Sequence, residues 1–167
     1  MPSILFVCTA NRFRSPLAAA MLQKKLEEMQ VAESWYISSA GLWTTSGRPA
    51  LPEVVAAAES FGIDLSSHRS TKVIAELVAA YDLIVVMTAG QKEALLTEFP
   101  FLQDSVYLLS DITERRSYDI PDPIGSEAEL KEVVAEMDSL LERGLRSICV
   151  LATYLHNTKL YYGPHYG

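Results

Sequence analysis

Short apolar runs alternate with segments of helical period along most of this 167-residue chain. Four runs are brief and rich in β-branched or aromatic side chains, which predicts buried strands at residues 4–7, 35–39, 83–87 and 106–109. Apolar positions at helical spacing predict helices over residues 17–29, 54–62, 89–97 and 130–145. Strands that alternate with helices predict an α/β fold: a single three-layer domain with a four-stranded parallel sheet and helices on both faces.

The remaining segments are read as a loop and a tail. Residues 110–126 are polar and predict a long loop, and the last helix is expected to end near Cys149. We therefore divide the chain into a domain at residues 1–149 and a Tyr-rich tail at residues 150–167. The tail is expected to pack its rings on the domain, and a phosphorylatable or partner-binding tail is the alternative. Its aromatic and imidazole side chains are those of Tyr154, His156, Tyr161, Tyr162, His165 and Tyr166.

Composition narrows the classes of partner. The formal net charge of −7 disfavours nucleic acid or an anionic membrane as the main partner, because both reward a basic surface. No apolar run reaches the roughly 18 residues that a membrane span needs. We see no export signal, and the two cysteines, Cys8 and Cys149, form no disulfide framework. We therefore expect a cytoplasmic protein with two free thiols.

The loop after the first strand carries the chemistry. It runs from Cys8 to Pro16, with Arg14 six residues after Cys8 and Ser15 as the predicted N-cap of the following helix, so that Pro16 takes the first helical position. A short loop between a strand and a helix can point its backbone N–H groups at an anion, and the helix N-terminus adds partial positive charge. Arg14 offers a planar fork to phosphate oxygens, and the same positive field favours the thiolate of Cys8. The sequence therefore predicts a phosphate-binding loop with a nucleophile.

These residues resemble the signature of the low-molecular-weight protein tyrosine phosphatases, including the bacterial branch that contains protein arginine phosphatases. The likeness covers about residues 3–148, because three further segments agree in order and rough spacing. They are Ser38-Ser39-Ala40-Gly41, the segment from Gly62 to Arg69, and Asp119-Ile120-Pro121-Asp122-Pro123.

The resemblance implies a phosphocysteine mechanism in which Cys8 attacks phosphorus, Arg14 binds the phosphate and Asp122 acts as acid and then base. Pro123 stiffens the loop that presents Asp122, and Asp119 is expected to be solvated. Ser39 and His68 are expected to brace the loop together with Asn11. We expect no metal and no cofactor, a phosphorylated protein as substrate, and inhibition by phosphate-like oxyanions. The expected substrate-binding residues are Thr9, Ala10, Asn11, Arg12, Phe13 and Ser15.

Departures from the family pattern leave the substrate open. Arg12 replaces a small aliphatic residue or threonine, Phe13 replaces a frequent second cysteine, and Ile124-Gly125-Ser126 replaces the aromatic residues that commonly follow the Asp-Pro pair. Phosphotyrosine is the first choice and phosphoarginine the second. Trp43 is either a substitute aromatic wall or, more often for such a residue, partly buried packing.

Two other functions are weighed. Arsenate reduction on this fold relays oxidation through further cysteines, and this chain has none between residues 9 and 148. A non-catalytic phosphoprotein-binding module needs neither a nucleophile nor an acid, so the presence of both Cys8 and Asp122 argues against it.

Overall fold

A computed structural model describes residues 1–122 and 126–162 and contains one four-stranded parallel sheet. The strand order is β2-β1-β3-β4, and all three pairings are parallel. This confirms the predicted α/β class and the four strands. Their bounds are Ser3–Cys8 for β1, Tyr36–Gly41 for β2, Leu83–Val86 for β3 and Val106–Leu108 for β4.

Six α-helices connect and flank the strands within the described ranges. Two single 3-10 turns, at Ala32–Ser34 and Pro100–Leu102, precede β2 and β4. The helices are α1 (Arg14–Glu28), α2 (Pro52–Glu59), α3 (Ala75–Ala79), α4 (Ala89–Glu98), α5 (Leu109–Glu114) and α6 (Glu127–Tyr162).

Both faces of the sheet are buried, which gives the three layers. Alternate side chains of a strand point to opposite faces, so Ile4 and Phe6 join one core cluster and Leu5 and Val7 join another. The first cluster includes apolar residues of α1, α2 and α6, and the second includes those of α3 and α4. Because the central strands β1 and β3 are covered on both faces, their sequences are nearly continuous apolar runs, whereas the edge strand β2 contains Ser38 and Ser39 and is only partly buried.

The strand order places one loop at a topological switch point, where successive connections lead to opposite edges of the sheet. β1 lies between β2 on one side and β3 on the other. In open α/β sheets, ligands bind beyond the carboxyl ends of the strands at such a switch point. Cys8 is the last residue of β1 and pairs with Gly41 of β2, so the predicted reactive loop starts at the switch point.

The predicted start of α1 and the predicted loop after β4 are wrong. Helix α1 begins at Arg14 with Phe13 as its N-cap residue, so Ser15 is not the N-cap and Pro16 is not the first helical residue. The polar segment after β4 is not loop throughout, because α5 occupies Leu109–Glu114. After α5 the chain comes back to the start of that helix. Buried Ser110 holds it there, since its hydroxyl donates to the carbonyl of Tyr118 and accepts from the Tyr118 amide.

Helix α6 does not end near Cys149 but continues to Tyr162. Ala152 and Leu155 are buried in the main core, which supplies the packing energy that extends the helix. His156 Nδ1 lies 3.0 Å from Asp82 Oδ2, and Lys159 donates a hydrogen bond to the carbonyl of Tyr81. Residues 150–162 are thus attached to the strand end that lies opposite Cys8.

The tyrosine rings of this segment do not pack on the domain as expected, because Tyr154, Tyr161 and Tyr162 are all exposed. Tyr166 and His165 lie outside the described residues. Each helix of the described ranges is too short or too polar to cross a membrane.

Candidate functional site

Cys8 is buried at the carboxyl end of β1 and contacts a serine hydroxyl. Its Sγ atom lies 3.0 Å from Oγ of Ser15, which belongs to the first turn of α1. Residues 8–15, here named the Cys8 loop, therefore bring the thiol back to the helix that follows the loop. The carbonyl of Cys8 accepts a hydrogen bond from the amide of Leu42, which fixes the loop's start to the end of β2.

The hydroxyl proton of Ser15 can be donated either to the sulfur of Cys8 or to one backbone carbonyl. Asn11 Nδ2 donates to Ser15 Oγ at 2.8 Å, so that oxygen acts as acceptor toward Asn11. The single hydroxyl proton then points to Cys8 Sγ at 3.0 Å or to the Ala40 carbonyl at 3.3 Å. Ser15 does not cap the helix because its hydroxyl is used in this cluster, and it can donate to a thiolate at Cys8.

Asn11 organises the middle of the loop. It is fully buried and has a left-handed backbone, with φ at 56°, a conformation that asparagine tolerates better than most residues. Its Nδ2 also donates to Ser39 Oγ at 2.9 Å, and its Oδ1 accepts from the Thr71 amide at 2.9 Å. His68 Nε2 lies 2.7 Å from the Asn11 carbonyl, and because a carbonyl only accepts, Nε2 carries the proton. Asn11, Ser39 and His68 thus lie together.

Arg14 joins the Cys8 loop to the segment that precedes α6. The guanidinium is buried, and its Nη1 donates to the Ile120 carbonyl at 3.0 Å. Its Nη2 lies 3.9 Å from Oδ2 of Asp122, whose side chain is 59% exposed. The structure therefore brings Arg14 and Asp122 to the same end of the sheet as Cys8, with the carboxylate open to solvent.

The segment before Asp122 is anchored by two further hydrogen bonds and by the burial of Ile120. The Ile120 amide donates to the Met87 carbonyl at the end of β3, and Ile120 is buried. Asp119 is exposed but not merely solvated as expected, because its Oδ1 accepts a hydrogen bond from the Ala89 amide at 2.9 Å. That amide is the first of α4, where a carboxylate is favoured by the helix dipole. Pro123, Ile124 and Gly125 lie outside the described residues.

The other residues of the loop divide into an outer and an inner set. Thr9, Ala10 and Arg12 are partly exposed, and Arg12 Nε donates to the Pro49 carbonyl at 2.8 Å. Phe13 is buried in the main core, so only its backbone faces the loop. Trp43 donates its amide to the Thr9 carbonyl and is 67% exposed, which makes partly buried packing the wrong interpretation of this residue.

Gln91 is a residue of the site that sequence reasoning missed. It is buried in α4, and its Nε2 donates to Thr9 Oγ1 at 3.2 Å. Its Oε1 accepts from the amides of Met87 and Thr88 at 2.9 and 3.1 Å. Gln91 therefore links the Cys8 loop to the end of β3. Its polar position after Thr88 is the one sequence signal, because Thr88 and Gln91 form the capping box of α4.

Within residues 1–122 and 126–162, no three His, Cys, Asp or Glu side chains lie close enough together to hold a metal ion. Cys149, the second thiol, is half-buried on α6, and burial raises the pKa of this thiol. It lies on the helix rather than in the Cys8 loop.

Three features together define a cysteine-dependent phosphatase. They are a strand, a loop that returns a cysteine to the next helix, and a buried arginine that faces a carboxylate. The chain belongs to the low molecular weight phosphotyrosine protein phosphatase family, whose model matches residues 3–150.

Among its relatives, a probable low molecular weight protein-tyrosine-phosphatase, EpsP of Ralstonia nicotianae, is 35% identical over 86% of this chain and 90% of its own length. A protein-arginine-phosphatase of Geobacillus stearothermophilus is 31% identical over 84% of this chain and 91% of its own length. The solved structure of the tyrosine phosphatase Wzb from Escherichia coli K30, in complex with sulphate, aligns with a TM-score of 0.77 at 28% identity. That alignment covers 89% of this chain and 98% of the solved one.

Proposed function

We propose that this protein hydrolyses phosphotyrosine in cytoplasmic proteins through a phosphocysteine intermediate on Cys8. The carrying observation is the double contact of Arg14, which donates to the Ile120 carbonyl and lies 3.9 Å from Asp122. One side chain of the Cys8 loop thereby holds the segment that bears the proposed acid. In this proposal Cys8, Arg14 and Asp122 act on one phosphate group bound in the Cys8 loop.

The loop is suited to bind the phosphate group as an anion. The amides of residues 10–13 donate no hydrogen bond to another residue of the described ranges, which leaves these N–H groups for a ligand. They lie at the N-terminus of the 15-residue helix α1, where an anion is favoured. Arg14 adds a fixed positive charge. Sulphate in the solved Wzb structure supports the same preference, and we propose inhibition by phosphate-like oxyanions on this basis.

The first chemical step transfers the phosphoryl group to sulfur. The Cys8 thiolate attacks phosphorus in line with the phenolic oxygen, so that the S–P bond forms as the P–O bond breaks. Asp122, protonated at this stage, gives its proton to the leaving phenolate oxygen. The Ser15 hydroxyl, 3.0 Å from Sγ, stabilises the thiolate before attack.

The second step returns the enzyme to its starting state. Asp122, now ionised, takes a proton from water as the water attacks phosphorus, and the S–P bond breaks. The Cys8 thiolate leaves and accepts the hydrogen bond of Ser15, and inorganic phosphate is released. The solvent exposure of Asp122 allows it to exchange its proton and to reach water in this step. Asn11, Ser39 and His68 hold the loop backbone in place throughout.

The test measures phosphate release from matched phosphotyrosine, phosphoarginine and phosphoserine peptides in the presence of a metal chelator. We expect turnover of the phosphotyrosine peptide, no turnover by Cys8→Ser, and a fall of about 10²–10⁴-fold for Asp122→Asn. The Asp122→Asn loss shrinks for a nitrophenyl phosphate, whose leaving group needs no proton. Rapid-quench mass spectrometry should detect phosphate on Cys8.

Three outcomes would overturn the proposal in different ways. Full activity of Cys8→Ser would remove the phosphocysteine mechanism. Preference for the phosphoarginine peptide would keep the mechanism and change the substrate. No release from any peptide by a protein that still binds phosphate would favour a binding module.

A further inference from the structure

The charges of this acidic protein are unevenly distributed around the Cys8 loop. Three segments border the loop: residues 8–16, 40–51 and 65–75. Together they contain five of the chain's 14 Lys and Arg residues, and the nearest acidic residues, Glu53, Asp64 and Glu76, lie just outside these bounds. A positive region on a protein with a net charge of −7 is the opposite of what the overall composition gives.

Contacts to the loop hold these cations beside it. Arg12 belongs to the loop, and its Nε donates to the Pro49 carbonyl, next to Arg48. His68 donates to the Asn11 carbonyl at 2.7 Å and is followed by Arg69. The Thr71 amide donates to Asn11 Oδ1 at 2.9 Å and is followed by Lys72. Each outer cation therefore lies one residue from a direct contact with the Cys8 loop.

These four side chains, Arg12, Arg48, Arg69 and Lys72, are here named the cationic rim. Arg48, Arg69 and Lys72 are exposed and Arg12 is partly exposed. None of the four forms an ion pair with a carboxylate of residues 1–122 or 126–162. By contrast, Lys25, Lys131, Arg143 and Lys159 all pair with acidic residues elsewhere. Within the described parts of the chain, the rim cations therefore have no carboxylate in ion-pair contact, and Arg12 and Arg69 donate to backbone carbonyls instead.

The β3 side of the loop has the reverse charge. Asp119 and Asp122 lie in the segment that is bonded to the end of β3 and the start of α4, across β1 from the rim segments beside β2. A flexible anion that reaches Cys8 is thus attracted on the rim side and repelled on the side of Asp119 and Asp122. This difference in charge favours one orientation of a substrate chain whose phosphorylated residue is bound at Cys8.

We propose that the cationic rim binds acidic residues that flank the phosphorylated residue of a protein substrate and orients that substrate toward β2 and the 65–75 segment. The inference rests on the proposed function, since it assumes that a phosphoprotein enters the Cys8 loop. A peptide is favoured over a nucleic acid or an anionic lipid surface because four cations suit a short acidic segment. An extended polyanion would meet the remaining negative surface of the protein.

The experiment compares two phosphotyrosine peptides of equal length, one with glutamates and one with glutamines beside the phosphorylated residue. Wild-type protein should show a higher kcat/KM for the acidic peptide by about tenfold at low salt, because complementary charges raise the rate of encounter. The preference should shrink in 0.5 M salt, where charges are screened beyond ~4 Å.

Arg48→Gln/Lys72→Gln is the test variant, because neither side chain makes a hydrogen bond to a described residue. We expect kcat/KM for the acidic peptide to fall about fivefold and kcat/KM for the neutral peptide to stay unchanged. Arg116→Gln/Arg146→Gln is the matched control, because it removes the same charge at two exposed positions outside the three segments. The control should keep the wild-type preference.

Failure of this inference and failure of the proposed function give different results. No turnover of either peptide would overturn the proposed function. Turnover of both peptides with equal kcat/KM, or an equal loss of preference in the test and control variants, would overturn the rim alone. Competitive inhibition by single-stranded DNA or by phosphatidylserine vesicles at the charge concentration of the acidic peptide would also overturn it, since the rim would then not select a peptide.

Discussion

Gln91 Nε2 lies 3.2 Å from Oγ1 of Thr9 and donates a hydrogen bond to it, so α4 holds the second residue of the Cys8 loop. Because Thr9 Oγ1 accepts this bond, its own proton is free to point toward an anion in the loop. The same glutamine accepts from the amides of Met87 and Thr88, and the Met87 carbonyl accepts from the Ile120 amide. Gln91 is thus a positioning residue between the loop and the segment that carries Asp122.

Gln91→Glu should reverse this link. The carboxylate still accepts from the amides of Met87 and Thr88 but cannot donate to Thr9, so the Thr9 hydroxyl donates to it and no longer offers its proton to an anion in the loop. We expect kcat/KM to fall about three- to tenfold, the effect of one buried hydrogen bond, with a matching loss of vanadate affinity. Steady-state kinetics and vanadate inhibition measure both quantities.

A double-mutant cycle with Thr9→Val separates positioning from general destabilisation. If the two side chains act through their mutual bond, the double variant should lose less than the sum of the single losses. Thr9→Ser, which keeps the hydroxyl, should stay near wild type. Additive losses would show that Gln91 does not act through Thr9.

Gly41 lies so close to the Cys8 loop that a side chain at position 41 would displace the loop. A Cβ added at Gly41 would lie 2.9 Å from the carbonyl carbon of Ala10 and 3.0 Å from Cβ of Asn11. Backbone cannot swing aside as a side-chain end can, so Gly41→Ala should move the loop. We expect a loss of 1–3 kcal/mol in the free energy of unfolding, about the cost of overpacking. The fall in kcat should reach about 10²-fold, the effect of a misplaced reacting group.

Gly90→Ala is the control for this prediction. Gly90 lies in α4 near the same loop, but a Cβ there would meet nothing nearer than Thr88 Oγ1 at 3.9 Å. It should keep full activity and gain up to about 1 kcal/mol of stability from the higher helix propensity of alanine. Equal losses in the two variants would show that proximity to backbone is not the cause. Activity and urea denaturation distinguish the cases.

The contrast between predicted and observed structure has physical causes. The central strands β1 and β3 are predictable because a strand covered on both faces has to be a continuous apolar run. Cys8 and Arg14 are identifiable because they share one short segment, and Asn11, Ser39, His68 and Asp122 became candidates through the family resemblance. Gln91 is not identifiable, since its contact with Thr9 joins residues 82 positions apart.

Local rules fail where a tertiary contact competes. Ser15 has the sequence context of an N-cap, yet its hydroxyl binds in the Cys8 and Asn11 cluster instead. The length of α6 is hidden because the residues that extend it are mostly exposed, and between residues 150 and 162 only Ala152 and Leu155 are buried. Their packing partners come from elements far away in the sequence.

Leu155 should contribute strongly to stability although it lies beyond the proposed domain boundary at residue 149. It is 8% exposed and belongs to the main core. Leu155→Ala should lower the free energy of unfolding by about 2 kcal/mol, the lower end of the range for buried leucines. The folded variant should keep its kcat, because the neighbouring His156 contacts Asp82 at the opposite end of β3 from the Cys8 loop.

Val150→Ala on the same helix is the matched control for Leu155→Ala. Val150 is 60% exposed, so its truncation should change stability by less than about 0.5 kcal/mol. Chemical denaturation of both variants gives the difference. An equally small effect of Leu155→Ala would mean that residues 150–162 are a dispensable tail rather than part of the domain.

The reactivity of the Cys149 thiol should depend on pH and on folding, and the two thiols should differ in their response to anions. Burial raises the pKa of the Cys149 thiol, so at a given pH less thiolate is present in the folded protein than in the unfolded chain. Because the thiolate is the reacting form, iodoacetamide should modify Cys149 more slowly in the folded state near neutral pH. The difference should narrow as pH rises through the folded pKa. Mass spectrometry of alkylated peptides between about pH 7 and 10 follows both sites.

Inorganic phosphate shows whether slow alkylation of a thiol is due to a ligand bound in the Cys8 loop or to burial of the thiol. Phosphate bound in the Cys8 loop should protect Cys8 from alkylation and leave the rate at Cys149 unchanged, because Cys149 lies on α6 outside the loop. Cys149→Ala should keep wild-type activity, and Cys8→Ser should abolish the phosphate-protected reaction. Protection of Cys149 by phosphate, or equal rates for Cys149 in the folded and unfolded chain, would contradict this assignment of the two thiols.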